Sequence, residues 1–146
     1  MNLEPDEGQR RFADSRVARL ATVSADAFPH IVPVTFAVDG DRVYIAIDSK
    51  PKRSMDLKRL RNIEANSNVA LLVDEYDDDW SRLWWVRADG TARVLAAGSE
   101  DTRAPIGLLQ SRYPQYADDV PQGAVIEVTV TNWSGWAFTN DAKLLA

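Results

Sequence analysis

A two-residue alternation running between Arg16 and Lys52 constrains this chain more than any other feature. Arg19, Ala21 and Val23 alternate with Leu20 and Thr22; Val32, Val34, Phe36 and Val38 alternate with Ile31, Pro33, Thr35 and Ala37; Val43, Ile45 and Ile47 alternate with Tyr44 and Ala46. A two-residue period marks half-buried β-strands, so three consecutive strands are expected, the middle one running through to Val38. Asp39-Gly40 between the second and third runs signals a tight hairpin. A type I′ turn there would need positive φ at both central residues. The third strand then enters Asp48-Ser49-Lys50-Pro51-Lys52-Arg53-Ser54, a charged segment at the open end of a small sheet.

Further along, the pattern changes period. Pro5 to Ala13 reads as a helix with Pro and two acids in its first turn. Arg53 to Asn66 reads as another, with Leu57, Leu60 and Ile63 on one face and basic residues on the other. Asn68 to Val73 is a strand, Glu75 to Asp79 an acidic turn, and Trp80 to Leu95 strand-like. Asp89-Gly90 fits either a hairpin turn or a β-bulge within one long strand. Ser99 to Tyr113 is helical with Pro114 as its stop. Val125 to Thr131 is a strand, and Ser134-Gly135 turns the chain before Trp136 and Phe138. About six strands with short helices between them suit a small Greek-key barrel better than a doubly wound sheet.

Composition narrows the function classes. One domain over residues 1–146 is expected from length, with a helix in 1–14 and a barrel over 16–138 carrying helices near 53–66 and 99–113. No cysteine is present, which removes disulfides, thiolate metal sites and cysteine nucleophiles. A net charge of −5 argues against electrostatic nucleic-acid binding. No apolar run is long enough for a membrane helix, and the charged start lacks a signal-peptide core, so a cytoplasmic location is expected.

The stretches ATVSADAFPHIVPVTFAVDGDRVYIA and RLRNIEANSNVALLVDEYDDDWSRLWWVRADGTARV resemble the split β-barrel flavin-binding proteins of the pyridoxamine 5′-phosphate oxidase-like superfamily. Within it they are most similar to the actinobacterial branch of F-420-dependent enzymes. The resemblance spans Phe12 to Phe138. It implies a mainly β split barrel, a homodimer with sites built from both subunits, and coenzyme F-420 as cofactor, with FMN as the alternative. It also favours a bulge at Asp89-Gly90. One departure is assigned to Phe28, where the family's D-G-x-P-H hairpin carries glycine.

Several constellations carry candidate chemistry. Lys50, Lys52, Arg53 and Ser54 lie where a strand meets a helix N-terminus, a place where charge and free backbone N–H groups favour phosphate. A solvated surface loop would look similar, and the resemblance tips the balance to cofactor phosphate. Thr35, Ala46, Ile47 and Asp48 line the same barrel mouth if the alternation holds; Thr35 and Asp48 are the stronger candidates, because a polar group there needs a partner. Trp84 and Trp85 are core or interface anchors, and one of them could meet a partner's cofactor ring. Alternation forbids both from facing one way. Arg87 is a candidate contact on the premise that a buried cation there needs an anion.

His30, the single histidine, is read as structural at the family's Pro-His position. The acidic run from Asp74 to Asp79 lacks metal-loop spacing. No nucleophile elbow, Walker loop or dinucleotide fingerprint is present. The implied activity is hydride transfer from reduced F-420 to a planar electron-poor acceptor, with no residue required as nucleophile. An FMN-dependent oxidase or reductase is the rival within the fold, and a non-catalytic flavin or haem carrier the rival outside enzymology. Lys58, Arg59 and Arg61 offer a basic helix face for a long anionic tail.

Overall fold

The computed structural model describes residues 1–47 and 53–139, and for 53–57 the helical backbone alone. In chain order the elements are α1 (Pro5–Asp14), β1 (Ala18–Val23), β2 (Pro29–Val34), β3 (Ala37–Asp39), β4 (Arg42–Ala46), α2 (Arg53–Ala65), β5 (Asn68–Glu75), β6 (Trp84–Leu95), α3 (Arg103–Arg112), α4 (Pro114–Asp118) and β7 (Val125–Ala137). The architecture is mainly β. Seven strands form one antiparallel sheet in the order β2-β1-β5-β6-β7-β4-β3.

That order, combined with chain continuity, demands a barrel. β2 and β3 stand at opposite edges of the sheet, yet only Thr35 and Phe36 separate them in sequence. Three residue steps span about 11 Å at most. The sheet must therefore curl until its edges nearly meet, and the gap between β2 and β3 is the split.

Here the structure departs from the single strand expected over Ile31–Val38. Val32, Val34 and Phe36 do point inward, at 6%, 6% and 0% exposure, but Ala37 is then buried and Val38 only partly so. The chain leaves β1 and joins β4 at that point. Hydrophobic periodicity records burial and carries no trace of a change of partner.

The hairpin after β3 also differs from expectation. Asp39 pairs with Arg42, so the central residues are Gly40 and Asp41. Only Gly40, at φ +60°, has positive φ. Positive φ at the first central position alone is the type II′ pattern rather than type I′.

In the first hairpin Ser24 and Phe28 bracket a turn closed by Ala27 N–H donating to Ser24 O at 2.9 Å and Phe28 N–H donating to Ser24 Oγ at 3.1 Å. Ala27 carries φ +65°. The D-G-x-P-H pattern laid on Asp26-Ala27-Phe28-Pro29-His30 puts its glycine at Ala27. The departure therefore belongs to Ala27 and not to Phe28, whose side chain projects into solvent. A left-handed alanine costs about 1–2 kcal/mol, and glycine returns part of that gain through unfolded-chain entropy. Ala27→Gly should thus raise stability by about 0.5–1 kcal/mol in urea unfolding, whereas Phe28→Gly should not stabilise.

β6 begins at Trp84 rather than Trp80, because Trp80–Arg82 form a tight helical turn capped by the Asp79 carboxylate on Ser81 N–H. It carries a bulge at Asp89/Gly90, where its register against β7 shifts. β7 is one strand where a shorter strand and a turn were expected. It runs through Ser134-Gly135 because the first half of β6 pairs with it as far as Trp84 opposite Ala137. The helix expected over Ser99–Tyr113 is a short turn at Glu100–Thr102 followed by α3, which ends before Pro114 as expected; Pro114 then also starts a second short helix, α4.

Phe12 of α1, wholly buried, closes one side of the barrel, its ring 4.9 Å from Phe36 and 5.2 Å from Trp133. α2 packs on β1 and β6. Its Asn62 donates to Thr22 Oγ1 at 3.0 Å, which satisfies both buried polar groups.

Candidate functional site

Two concavities border residues singled out by the sequence, one at the ends of β2 and β4 and one along β5 and β6. The first, of about 360 Å³, opens where β2 and β4 end, between the sheet and α4. Thr35, Ala46 and Ile47 form its sheet wall; Tyr116 and the segment after α4 form the opposite wall; Arg59 of α2 borders it. Its shape follows from two devices, one of the backbone and one of a side chain. Ile47 N–H donates to Ala124 O at 2.9 Å, and Gly123 lies so close that a Cβ would sit 2.6 Å from Ile47 O. Only glycine lets the returning chain rest on the end of β4.

The second device is Tyr113, 7% exposed, at the corner between α3 and α4. Its hydroxyl accepts from Phe36 N–H at 3.2 Å and from Arg112 Nε at 3.1 Å. Its own proton faces Arg16 O and Phe36 O, each at 3.0 Å. Phe36 sits outside β2 and β3, so its backbone groups depend on this phenol rather than on a sheet ladder. The anchored corner aims Tyr116 at Thr35, and the two hydroxyls meet at 2.9 Å. Thr35 therefore has a protein partner, where its polarity had suggested a ligand.

Thr35 and Ile47 thus share one cleft with Ala46. Asp48, Lys50 and Lys52 lie outside the described residues. Arg53 and Ser54 are the first two residues of α2, and their side chains are also outside the description. Ile47, at the rim of the cleft, is the last described residue before that segment in sequence.

Trp84, Trp85 and Arg87 border other surfaces. Trp85 faces outward beside its cross-strand neighbour Trp136, in a broad open groove of about 910 Å³ that also holds Ile31, Ala21 and Leu72. Trp84 turns inward against the core, with the Arg11 guanidinium 5.5 Å from its ring. Arg87 is not the buried cation the sequence suggested: its side chain is 46% exposed, and Asp89 accepts from its Nε at 2.9 Å. Within one chain these residues do not join Thr35 and Ile47.

His30 lines neither concavity. Its Nδ1 is enclosed without a hydrogen-bond partner, and burial, with Lys58 and Arg59 nearby, holds its pKa below the ordinary imidazole value. The unfolded chain then takes up this proton first as pH falls, so acidification below about 6.5 removes stability. Among the described residues no cluster of three or more His, Asp or Glu could hold a metal, and no helix is long and apolar enough to cross a membrane.

Sequence reasoning missed Tyr116. Pro114 is the available signal: it follows the end of α3 and, as proline at a first helical position, also starts α4.

Comparison with known proteins places this geometry. A reductase of Streptomyces rimosus subsp. rimosus acting on 5a,11a-dehydrotetracycline and 5a,11a-dehydrooxytetracycline is 36% identical over 88 residues. That segment is 58% of this chain and 59% of the reductase, so the match spans little more than half of either protein. An FAD-binding protein of Mesorhizobium loti superposes with a TM-score of 0.71 at 21% identity, over 92% of this chain and 95% of its own. The haem storage protein HutZ of Vibrio cholerae does so with a TM-score of 0.67 at 18% identity, over 94% and 95%. At these identities the two structures speak for the fold alone. The sequence itself matches the pyridoxamine 5′-phosphate oxidase description across residues 5–137, nearly its whole length, and the chain belongs to that family.

Proposed function

We propose that this protein is an oxidoreductase that holds a flavin-type ring in the cleft beside Thr35 and Ile47. Reduced F-420 is the hydride donor to a planar electron-poor acceptor, and FMN is the alternative cofactor. The observation that carries this reading is the position of the cleft. It ends at Ile47, where the chain runs directly into the basic segment Lys50-Pro51-Lys52-Arg53 and the N-terminus of the 13-residue helix α2. A flat ring and an anionic tail need those two environments side by side.

The residues present fit such a group. Ala46 leaves room for a ring against the strand, and the half-buried hydroxyls of Thr35 and Tyr116 supply polar contacts. Exposed Lys58 and Arg61 on α2 add positive charge that a long anionic tail would use, which favours F-420 over FMN. The bound cofactor supplies the hydride, and the chain supplies orientation and exclusion of water. Similarity to the dehydrotetracycline reductase favours the reductase side and a polycyclic planar acceptor. A haem carrier of the same fold would need an axial ligand, and His30, the single imidazole, lines neither concavity.

The second copy in a homodimer is assigned to the outer groove. Ile31, 64% exposed, and Trp85, 36% exposed, present an apolar sheet face that a matching face would cover. Trp85 and Arg87 then become available to the partner's cofactor. Sedimentation should show a dimer that Ile31→Glu converts to monomer; a monomeric parent would remove this part of the reading.

Titration of the protein with F-420 and with FMN, followed by tryptophan quenching, tests the cofactor. F-420 should bind tightly and weaken as salt rises. Arg53→Ala should weaken it about tenfold or more, the loss expected for one charge-assisted contact, with the melting temperature unchanged. Binding of neither compound would end the proposal, and preference for FMN would move the protein to the flavin side of the family.

A further inference from the structure

We infer that the Thr35–Tyr116 hydroxyl pair recognises the imide edge of the cofactor's pyrimidine ring, which makes Tyr116 a cofactor-binding residue; this rests on the reading that the cleft holds a flavin-type ring. Both side chains line the cleft, both are half-buried, and their oxygens lie 2.9 Å apart. Two hydroxyls carry two protons and four lone pairs. One proton and one lone pair are spent between them. The pair therefore still offers one donor and spare acceptor capacity from adjacent atoms.

The edge of a flavin or deazaflavin presents the complementary set, a ring N–H flanked by two carbonyl oxygens. One hydroxyl can accept from the N–H while the other donates to a neighbouring carbonyl. The free proton and the accepting lone pair can thus sit on two different oxygens, 2.9 Å apart, so each oxygen meets a different atom of the edge. The pair is also held in place before any ligand arrives. Tyr113 packs edge-to-face on Tyr116, with ring centroids 5.7 Å apart, and is itself bonded to the backbone of Phe36, the residue after Thr35. Little freedom remains to be lost on binding. Both cofactor candidates share this edge, so the contact selects the ring, while the basic segment and α2 select the tail.

A merely structural latch between α4 and the sheet would use the same hydroxyls, and ring methylation separates the two roles. Whichever of F-420 and FMN binds the parent protein is titrated beside its analogue methylated at the imide nitrogen, with the parent protein, Tyr116→Phe and Thr35→Val. Methylation should weaken binding to the parent about tenfold, the loss expected for one hydrogen bond in a shielded site. In the two variants the unmethylated cofactor should bind about tenfold more weakly, and the methylation penalty should shrink to twofold or less. Arg53→Ala should weaken both ligands equally. A parent protein indifferent to methylation, or a full penalty surviving in both variants, would overturn the assignment. If the parent binds neither cofactor, the cofactor reading itself falls, an outcome distinct from intact binding without edge recognition.

Discussion

Gly90→Ala should cost this protein at least about 3 kcal/mol, a large share of the 5–15 kcal/mol that holds a domain of this size together. Gly90 is the second residue of the β6 bulge, where the strand crosses Thr129 and Val130 of β7. A Cβ there would fall 2.1 Å from Thr129 O, 2.9 Å from Thr129 C and 3.0 Å from Val130 Cα. All three atoms are backbone, so no rotamer change relieves the clash. The two longest strands would have to separate where the pairing order passes from one half of the barrel to the other. Gly107 in α3 provides the control, since a Cβ there meets nothing within 4 Å. Gly107→Ala should be neutral or stabilise by up to about 1 kcal/mol through helix propensity. Thermal unfolding of the two variants should place Gly90→Ala roughly 10 °C below the parent and Gly107→Ala at or above it. A parent-like melting temperature for Gly90→Ala would mean that the bulge is not the close approach described.

The sequence signalled that bulge but could not choose between bulge and turn, because Asp-Gly serves both and the partner strand decides. The same limit explains the other departures. β4 was legible because alternation reports which face is buried, Val43 and Ile45 lying inside; β1 and β5 were legible as strands although both of their faces carry apolar residues, and the buried face of β1 includes Thr22. The break at Thr35-Phe36 was not, since the apolar face continues through Phe36 while the strand exchanges β1 for β4. β7 was cut short because Ser134-Gly135 has turn composition. Gly135 is there for a different reason: a Cβ on it would lie 2.8 Å from Trp85 O across the ladder.

The candidate site was legible to the same degree. Thr35 and Ile47 follow from their places at strand ends, and the structure brings them into one cleft. The wall facing them comes from α4, about 80 residues on, and only the tertiary contact of Tyr116 with Thr35 reveals it. Arg87 was misjudged because strand position alone does not distinguish the outer face of a sheet from its core; Asp89, two residues on and on the same face, was its partner all along.

Tyr113→Phe should lower stability by about 2–4 kcal/mol although it removes a single oxygen. That oxygen serves the N–H and C=O of Phe36, the carbonyl of Arg16 and the Nε of Arg112. Phenylalanine would fill the same space, so packing on Leu109 and Ala37 survives and no cavity opens. The cost arises from buried backbone groups left without partners, each worth about 1–3 kcal/mol where water cannot replace the lost bond. The damage should be local in a telling place. Phe36 closes the link between the two edge strands, and the corner that Tyr113 anchors carries Tyr116 into the cleft. Amide exchange at Phe36 should therefore accelerate more than at the β6–β7 pairs, whose ladder does not involve Tyr113. Cofactor affinity should fall about tenfold as well, because the α4 wall would have to be ordered on binding. Tyr116→Phe, which leaves the anchor intact, should match that affinity loss with little change in the urea midpoint. If Tyr113→Phe instead lost less than about 1 kcal/mol and left exchange at Phe36 unchanged, the phenol would be a bystander, and the cleft would owe its shape to Gly123 resting on Ile47.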